Sequence, residues 1–250
     1  MDPYLSVVIP TFNEEKNIEE TLKKVFGFLF RKDFSWEVIV SDDGSKDKTV
    51  KIAEGFLKNH PNLRILKNSH QGKGPTVISG MSEAKGEIVV FTDADLATPI
   101  EELDKLIDKF REGFDVVIGS RGAKREGAPP LRQLLASGFN FLVQVVALPG
   151  ISDTQCGFKG FRKSVFNQII ARTKIFNHQK DQKELRVSAV TPIFDVELLF
   201  IAKKLGLKIA QAPVVWHHVR TKRVSPMRDS ILTLFDITRL RINDLRGMYD

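Results

Sequence analysis

Residues 86–99 read GEIVVFTDADLATP. A short, uninterrupted apolar run of this kind is the pattern of a strand buried on both faces, as in a parallel sheet covered by helices. It stops at two aspartates, Asp93 and Asp95, with Ala94 between them. Along a strand, residues i and i+2 point the same way, so both carboxylates are expected on one side of the strand end. Two such charges repel unless a cation bridges them. Mg2+ and Mn2+ prefer oxygen ligands, and Mg2+ often takes one or two carboxylates together with phosphates. Asp is also an ordinary turn former, so the pair alone leaves both readings open.

Outward from this stretch the same alternation recurs. LSVVIPTF (5–12) is an apolar strand. NEEKNIEETLKKVFGFLF (13–30) follows, with Ile18, Leu22, Val25 and Leu29 at helical spacing and Asn13 as the expected N-cap. WEVIVSDDGS (36–45) is strand then turn, KTVKIAEGFLKNH (48–60) helix, NLRILKN (62–68) strand and GPTVISGMSEAKG (74–86) helix. After the aspartates come PIEELDKLIDKFREG (99–113), a helix with proline in its first turn, and the strand FDVVIGSR (114–121). Strand–helix alternation with short connections predicts an α/β fold with a mostly parallel, doubly wound sheet. In such sheets ligands gather at the carboxyl ends of the strands, where TFNE, SDDGS, DAD and GSR all fall.

The second half is looser. GAKREGAPP (122–130) reads as a loop, 131–148 as helical, and DTQCGFKGFRKSVF (153–166) as strand and then helix. KIFNHQKDQKELRV (174–187) is a polar loop, FDVELLFIAKKLG (194–206) an amphipathic helix and LKIAQAPVVW (207–216) a strand. HHVRTKRVSPMRDS (217–230) is a basic loop and ILTLFDITRLRINDL (231–245) a terminal amphipathic helix.

Composition narrows the function. Of 250 residues, 42% are hydrophobic, enough for a core and against general disorder. The net charge of +7 is uneven. Residues 1–100 carry 13 Lys and Arg against 15 Asp and Glu (−2), and the remainder 25 against 16 (+9). The basic half suits nucleic acid, phosphates or an anionic membrane surface, and charge alone equally describes a solvated face. No nucleic-acid-binding module is visible, and no nucleic-acid partner is expected. Cys156 is the only cysteine, so an intrachain disulfide and a Cys-rich metal site are both excluded. Residues 133–152, QLLASGFNFLVQVVALPGIS, are uncharged but interrupted by Gln, Asn, Ser, Gly and Pro, and no spanning helix is expected.

VVIPTFNEEKN, VIVSDDGSKDKT, GKGPTVISG, VVFTDADLATP and VIGSR, in this order and spacing, resemble family 2 inverting glycosyltransferases with the GT-A (Rossmann-like) fold. The resemblance is strongest over residues 1–125. Through DTQCGFKGF, FDVELLFIAKKLG and the basic loop the chain looks like the polyprenyl-phosphate branch. It implies a GT-A domain over 1–230, with a nucleotide-sugar half (1–125), an acceptor-side half (126–230) and an amphipathic helix at 231–250.

By that resemblance, Pro10, Thr11, Asn13 and Glu14 edge the nucleotide pocket, and Asp43 accepts a hydrogen bond from the base. Lys73 approaches the nucleotide or its phosphates. Asp93 and Ala94 line the ribose side, and Asp95, with Asp93, holds Mg2+ or Mn2+ at the diphosphate. Arg121 and Arg132 contact phosphate. Lys222 and Arg223 belong to a loop that closes over the diphosphate, and Asp153 orients the acceptor or acts as a base. Dolichol-phosphate-mannose synthases usually read Asp-x-Asp-x-Gln, whereas Ala97 stands here. DADLATP with FDVELLF looks more like dolichyl-phosphate β-glucosyltransferases. The implied donor is UDP-glucose, with GDP-mannose the alternative, and the implied acceptor is a polyprenyl phosphate. The implied location is peripheral, on the cytoplasmic face of a membrane, where a membrane protein is a further implied partner. A nucleotide-sugar binder without turnover is the reading from another class.

Overall fold

A computed structural model describes residues 2–121, 143, 144, 146–174, 193–217 and 226–250, with side chains left aside at 193 and 226–234. The strands are β1 (Leu5–Thr11), β2 (Trp36–Asp42), β3 (Leu63–Lys67), β4 (Ile88–Thr92), β5 (Val116–Ser120), β6 (Phe158–Arg162) and β7 (Ile209–Pro213). The helices are α1 (Ile18–Leu29), α2 (Thr49–Glu54), α3 (Lys73–Glu83), α4 (Leu103–Arg111), α5 (Lys163–Arg172), α6 (Ile193–Lys204) and α7 (Pro226–Leu245). One sheet runs β3-β2-β1-β4-β6-β5-β7.

Period-2 alternation builds two cores from each strand. Val8, Ile39, Val89 and Phe91 pack on one face with Val77 and Met81 of α3 and Phe194 of α6. Val7, Ile9, Val38, Val40 and Val90 pack on the other with Leu22 of α1 and Leu106 of α4. Both faces are covered, which is why these strands read as continuous apolar runs. The chain leaves β1 toward β2 and β3 on one side and returns to β4 on the other. The crevice at that reversal is where doubly wound sheets bind ligands.

β6 is the exception to the parallel pattern. It lies antiparallel between β4 and β5, with Thr92 opposite Phe158. An antiparallel strand starts where its parallel neighbours end. Residues 153–157, just before β6, are therefore delivered to the carboxyl edge beside Asp93 and Arg121.

Three expectations are corrected here. Asn13 is not an N-cap: α1 starts at Ile18, and Asn13 takes a left-handed conformation (φ 53°) in the preceding loop. α6 is not amphipathic, because Phe194 through Ala202 are all buried, between the sheet, α5 and α7. The terminal helix begins at Pro226, within the stretch expected to be loop, and is docked on α6. Tyr249 donates its hydroxyl to Glu197 (2.9 Å), and Lys204 pairs with Asp244 and Asp250 (both 2.6 Å).

Candidate active site

The loop after β1 is stapled to the loop after β2. The Asn13 N–H donates to Ser45 Oγ and its side-chain oxygen accepts from the Lys46 N–H (both 2.8 Å). The Glu14 N–H donates to Thr49 Oγ1 (2.7 Å), and Thr11 Oγ1 donates to Asp42 (3.1 Å). Pro10 and Thr11 end β1 in register with Ser41 and Asp42. Behind this clasp Asp43 is buried, and its carboxylate accepts from the Gln71 N–H (2.7 Å) and the Gly72 N–H (2.9 Å) and meets His70 Nδ1 (2.8 Å). Gly72 has φ 96°, a conformation that glycine supplies without steric cost. The His70 ring stacks on Phe12, with centroids 4.2 Å apart and 15° between planes.

Across the crevice, β4 ends at Thr92, so Asp93–Leu96 form a turn rather than the last residues of the strand. The expected same-side geometry of a strand is thus corrected. The two carboxylates still interact through space, since burial, and after it the Asp93 charge, push the Asp95 pKa up. The Ala97 N–H donates to Asp95 Oδ1 (3.1 Å). Lys73, at the start of α3, pairs with Asp93 (2.5 Å). Burial opposes the Lys73 charge, but Asp93, with Asp195 and Asp95 further off, outweighs it and pushes its pKa up. Gly157 leaves no room for a side chain: a Cβ there would lie 2.0 Å from Asp93 Oδ2. Ala94 is buried behind the turn, and its carbonyl accepts from Thr21 Oγ1 (2.6 Å).

The carboxyl end of β5 carries a bidentate pair. Arg121 Nε and Nη2 each donate to Asp153 at 2.7 Å, and the Arg121 N–H adds a third bond at 3.1 Å. Burial would lower the Arg121 pKa, but the Asp153 carboxylate overrides it and pushes it up. Both Asp153 oxygens thus accept from Arg121, which fixes the guanidinium and the carboxylate against one another. Beneath the crevice Lys159 is wholly buried, pairs with Asp195 of α6 (2.7 Å) and donates to the Cys156 carbonyl. Arg132, Lys222 and Arg223 lie outside the described residues.

Residues 6–170 match the domain described as glycosyl transferase family 2. The chain is 33% identical to a dolichyl-phosphate beta-glucosyltransferase of Dictyostelium discoideum, over 98% of this chain and 76% of that one. It is 34% identical to the enzyme of that name from Saccharomyces cerevisiae, again over 98% and 76%. The chain belongs to glycosyl transferase family 2. Among solved structures, glucosyl-3-phosphoglycerate synthase of Mycobacterium tuberculosis with Mn2+, UDP-glucose and phosphoglyceric acid superposes with a TM-score of 0.63 at 21% identity, covering 94% of this chain and 79% of that one. Mannosyl-3-phosphoglycerate synthase of Rubrobacter xylanophilus gives 0.68 at 17%, covering 98% and 76%. These likenesses confirm the GT-A fold, and the chain is a glycosyltransferase.

A divalent cation can be tested against this family 2 site. Among the described residues no three His, Cys, Asp or Glu side chains converge into a cage. The Asp93–Asp95 turn nevertheless holds two carboxylates, one of them pushed toward its neutral form by burial and by the other. That donor set fits a hard cation completed by phosphate and water oxygens.

Several side chains of the site were not legible in the sequence. Phe12 and His70 are a lone aromatic and a lone histidine in loops, with no spacing to flag them. The loop residue Trp216 sits over the Arg121 guanidinium (5.6 Å). Cys156 lies close to Arg121 and Asp153. It is fully buried, and burial pushes its thiol pKa up. Folded protein at pH 8 should therefore resist iodoacetamide and react only after denaturation. Rapid labelling of the native chain, followed by mass spectrometry, would contradict this placement.

Proposed function

We propose that the chain transfers glucose, with inversion, from UDP-glucose to a polyprenyl (dolichyl-type) phosphate, with Mg2+ or Mn2+ at Asp95 and Asp93. The observation that carries this reading is the position of the Asp93–Asp95 turn, between the Asp43 pocket and the Arg121–Asp153 pair. The relatives' names support the glucose donor and the lipid acceptor, and the Mn2+ and UDP-glucose held by the fold neighbour support the donor side.

Asp43 bears on the base. A carboxylate offers about four acceptor positions. Among the described residues, Gln71, Gly72 and His70 occupy three of them. One position suits the single imide N–H of uracil better than the two adjacent donors of guanine. The stacked Phe12 and His70 rings offer a flat face beside it. Pro10, Thr11, Asn13 and Glu14 shape the pocket edge, chiefly by holding the two loops together. Lys73 lies within reach of both Asp93 and a bound diphosphate, and Ala94 sets the depth of the ribose side.

Asp95 and Asp93 would hold the cation, which when bound would supply Lewis-acid stabilisation to the departing diphosphate. Arg121, kept cationic by Asp153, faces the phosphate of the acceptor. A phosphate oxygen of the acceptor is already ionised near neutral pH. It attacks the anomeric carbon in line, and an α-linked donor gives a β-linked product. No general base is required, which agrees with the commitment of Asp153 to Arg121. Arg132, Lys222 and Arg223 keep their proposed phosphate roles.

A lipid acceptor places the protein at a membrane surface, on the cytoplasmic face in this reading. Among the described residues no helix is long and apolar enough to cross a bilayer. On α7, Phe235 and Ile242 are exposed on the face that also carries Arg239 and Arg246, with Leu245 beside them. Apolar and cationic side chains on one helix face suit an anionic interface. Labelled glucose should move from UDP-glucose to a short polyprenyl phosphate with Mn2+ present, and stop on chelation. A chain that binds UDP tightly yet forms no lipid product would be a binder and not this transferase.

A further inference from the structure

We infer that Trp216 is the platform for the donor hexose and sets the preference for glucose. This rests on the donor site proposed above and assigns the part of it that meets the sugar ring.

The segment carrying Trp216 is strapped across the crevice at three points. The Val214 N–H donates to the Ser120 carbonyl (3.0 Å), at the end of β5. The Val215 N–H donates to Glu102 (3.1 Å), and the His217 N–H donates to the Ala97 carbonyl (2.7 Å). Ala97 is two residues past Asp95 and gives its own N–H to that carboxylate. The backbone on both sides of Trp216 is therefore tied down, on one side to the residue after the Asp93–Leu96 turn and on the other to the strand that ends just before Arg121. The ring itself lies 5.6 Å from the Arg121 guanidinium. It is half-buried, so part of it remains accessible.

The linear order of the donor then decides what Trp216 meets. With the base at Asp43 and the diphosphate at Asp95, the sugar is the next group along the molecule. It must lie between Asp95 and the Arg121–Asp153 pair, because the acceptor phosphate attacks its anomeric carbon from that side. Trp216 is on this seam. All the ring hydroxyls of a glucopyranose are equatorial, so both ring faces present C–H bonds that pack on an aromatic surface. An epimer directs its axial hydroxyl out of one ring face, and packed on Trp216 through that face it loses the contact. A backbone tied by three hydrogen bonds gives such a platform the rigidity that discrimination requires.

The test uses the full chain and the variants Trp216→Leu and Trp216→Phe. UDP affinity is measured by calorimetry with Mn2+, and kcat/KM is measured for UDP-glucose and UDP-galactose with a short polyprenyl phosphate. For Trp216→Leu, UDP affinity should stay within about twofold, while kcat/KM for UDP-glucose falls about 10-fold or more and the preference over UDP-galactose narrows. Trp216→Phe should keep most of both. Retained UDP binding also shows that the variant is folded. Equal losses for UDP and UDP-glucose would overturn the inference and make Trp216 a support for Arg121, as would an unchanged sugar preference in Trp216→Leu. A parent chain that binds UDP but does not use UDP-glucose would overturn the donor reading itself, before any variant is compared.

Discussion

Replacing Asp95 with asparagine should leave a folded protein that no longer transfers glucose. Losing ~4 kcal/mol of charge stabilisation at the leaving diphosphate corresponds to about a thousandfold slower turnover. The stability of the variant should move the other way. Burial and the nearby Asp93 push the Asp95 pKa up in the folded chain. A carboxyl whose folded pKa lies above its unfolded value favours folding only while it is protonated, and that contribution is lost as pH rises through the folded pKa. At neutral pH the ionised Asp95 therefore destabilises the metal-free protein, and asparagine relieves the strain between the two charges. The thermal midpoint of Asp95→Asn without metal should equal or exceed that of the parent, while the rise on adding Mn2+ and UDP disappears. Full activity in the variant would remove Asp95 from the cation site. Loss of activity together with loss of folding would make it a structural residue.

The second large effect belongs to Lys159. Its side chain is wholly buried and pairs with Asp195. Breaking a buried pair from one side strands the other charge and costs about 3–5 kcal/mol, so Lys159→Met should lower the thermal midpoint by on the order of 10 °C. Burial already pushes the Asp195 pKa up, against the pull of Lys159. Without the lysine it rises further and the chain favours a protonated Asp195. The deficit of Lys159→Met should then be small at mildly acidic pH and grow as pH rises. Lys159→Met combined with Asp195→Leu should recover most of the loss, because no charge is left unpaired. Urea denaturation of the single and double variants at two pH values measures this. A single variant as stable as the parent would show that the pair contributes nothing.

What the sequence revealed follows from how strongly each element is constrained locally. β1, β2 and β4 announce themselves because both of their faces are buried, and their ends carry turn residues where the crevice must be. The orientation of β6 is set by its neighbours and leaves no trace in FKGFR. With it went the reason why Asp153 meets Arg121 and why position 157 must be glycine. Lys159 shares one face of its strand with Phe161, and a lone lysine there carries no sign of burial, yet helices cover that face and the lysine is enclosed. In FDVELLFIAKKLG the helix reads as amphipathic, while Asp195 and Glu197, two apart, do not share a face. The helix is buried on all sides, and each acid finds a distant partner, Asp195 in Lys159 of the sheet and Glu197 in Tyr249. Trp216 was one aromatic at the end of a strand, and only the hydrogen bonds of its neighbours to Ala97 and Glu102 place it over the crevice.

The most direct measurement offers the chain an equal mixture of UDP-glucose and GDP-mannose, each with a distinct isotope, together with a short polyprenyl phosphate and Mn2+. The lipid product is then analysed by mass spectrometry and NMR, with a parallel reaction in chelator. A β-linked glucosyl lipid that vanishes in chelator is the predicted result. A mannosyl lipid, an α-linked product or formation that persists in chelator would contradict, respectively, the uracil reading of Asp43, the single in-line displacement or the cation at Asp95.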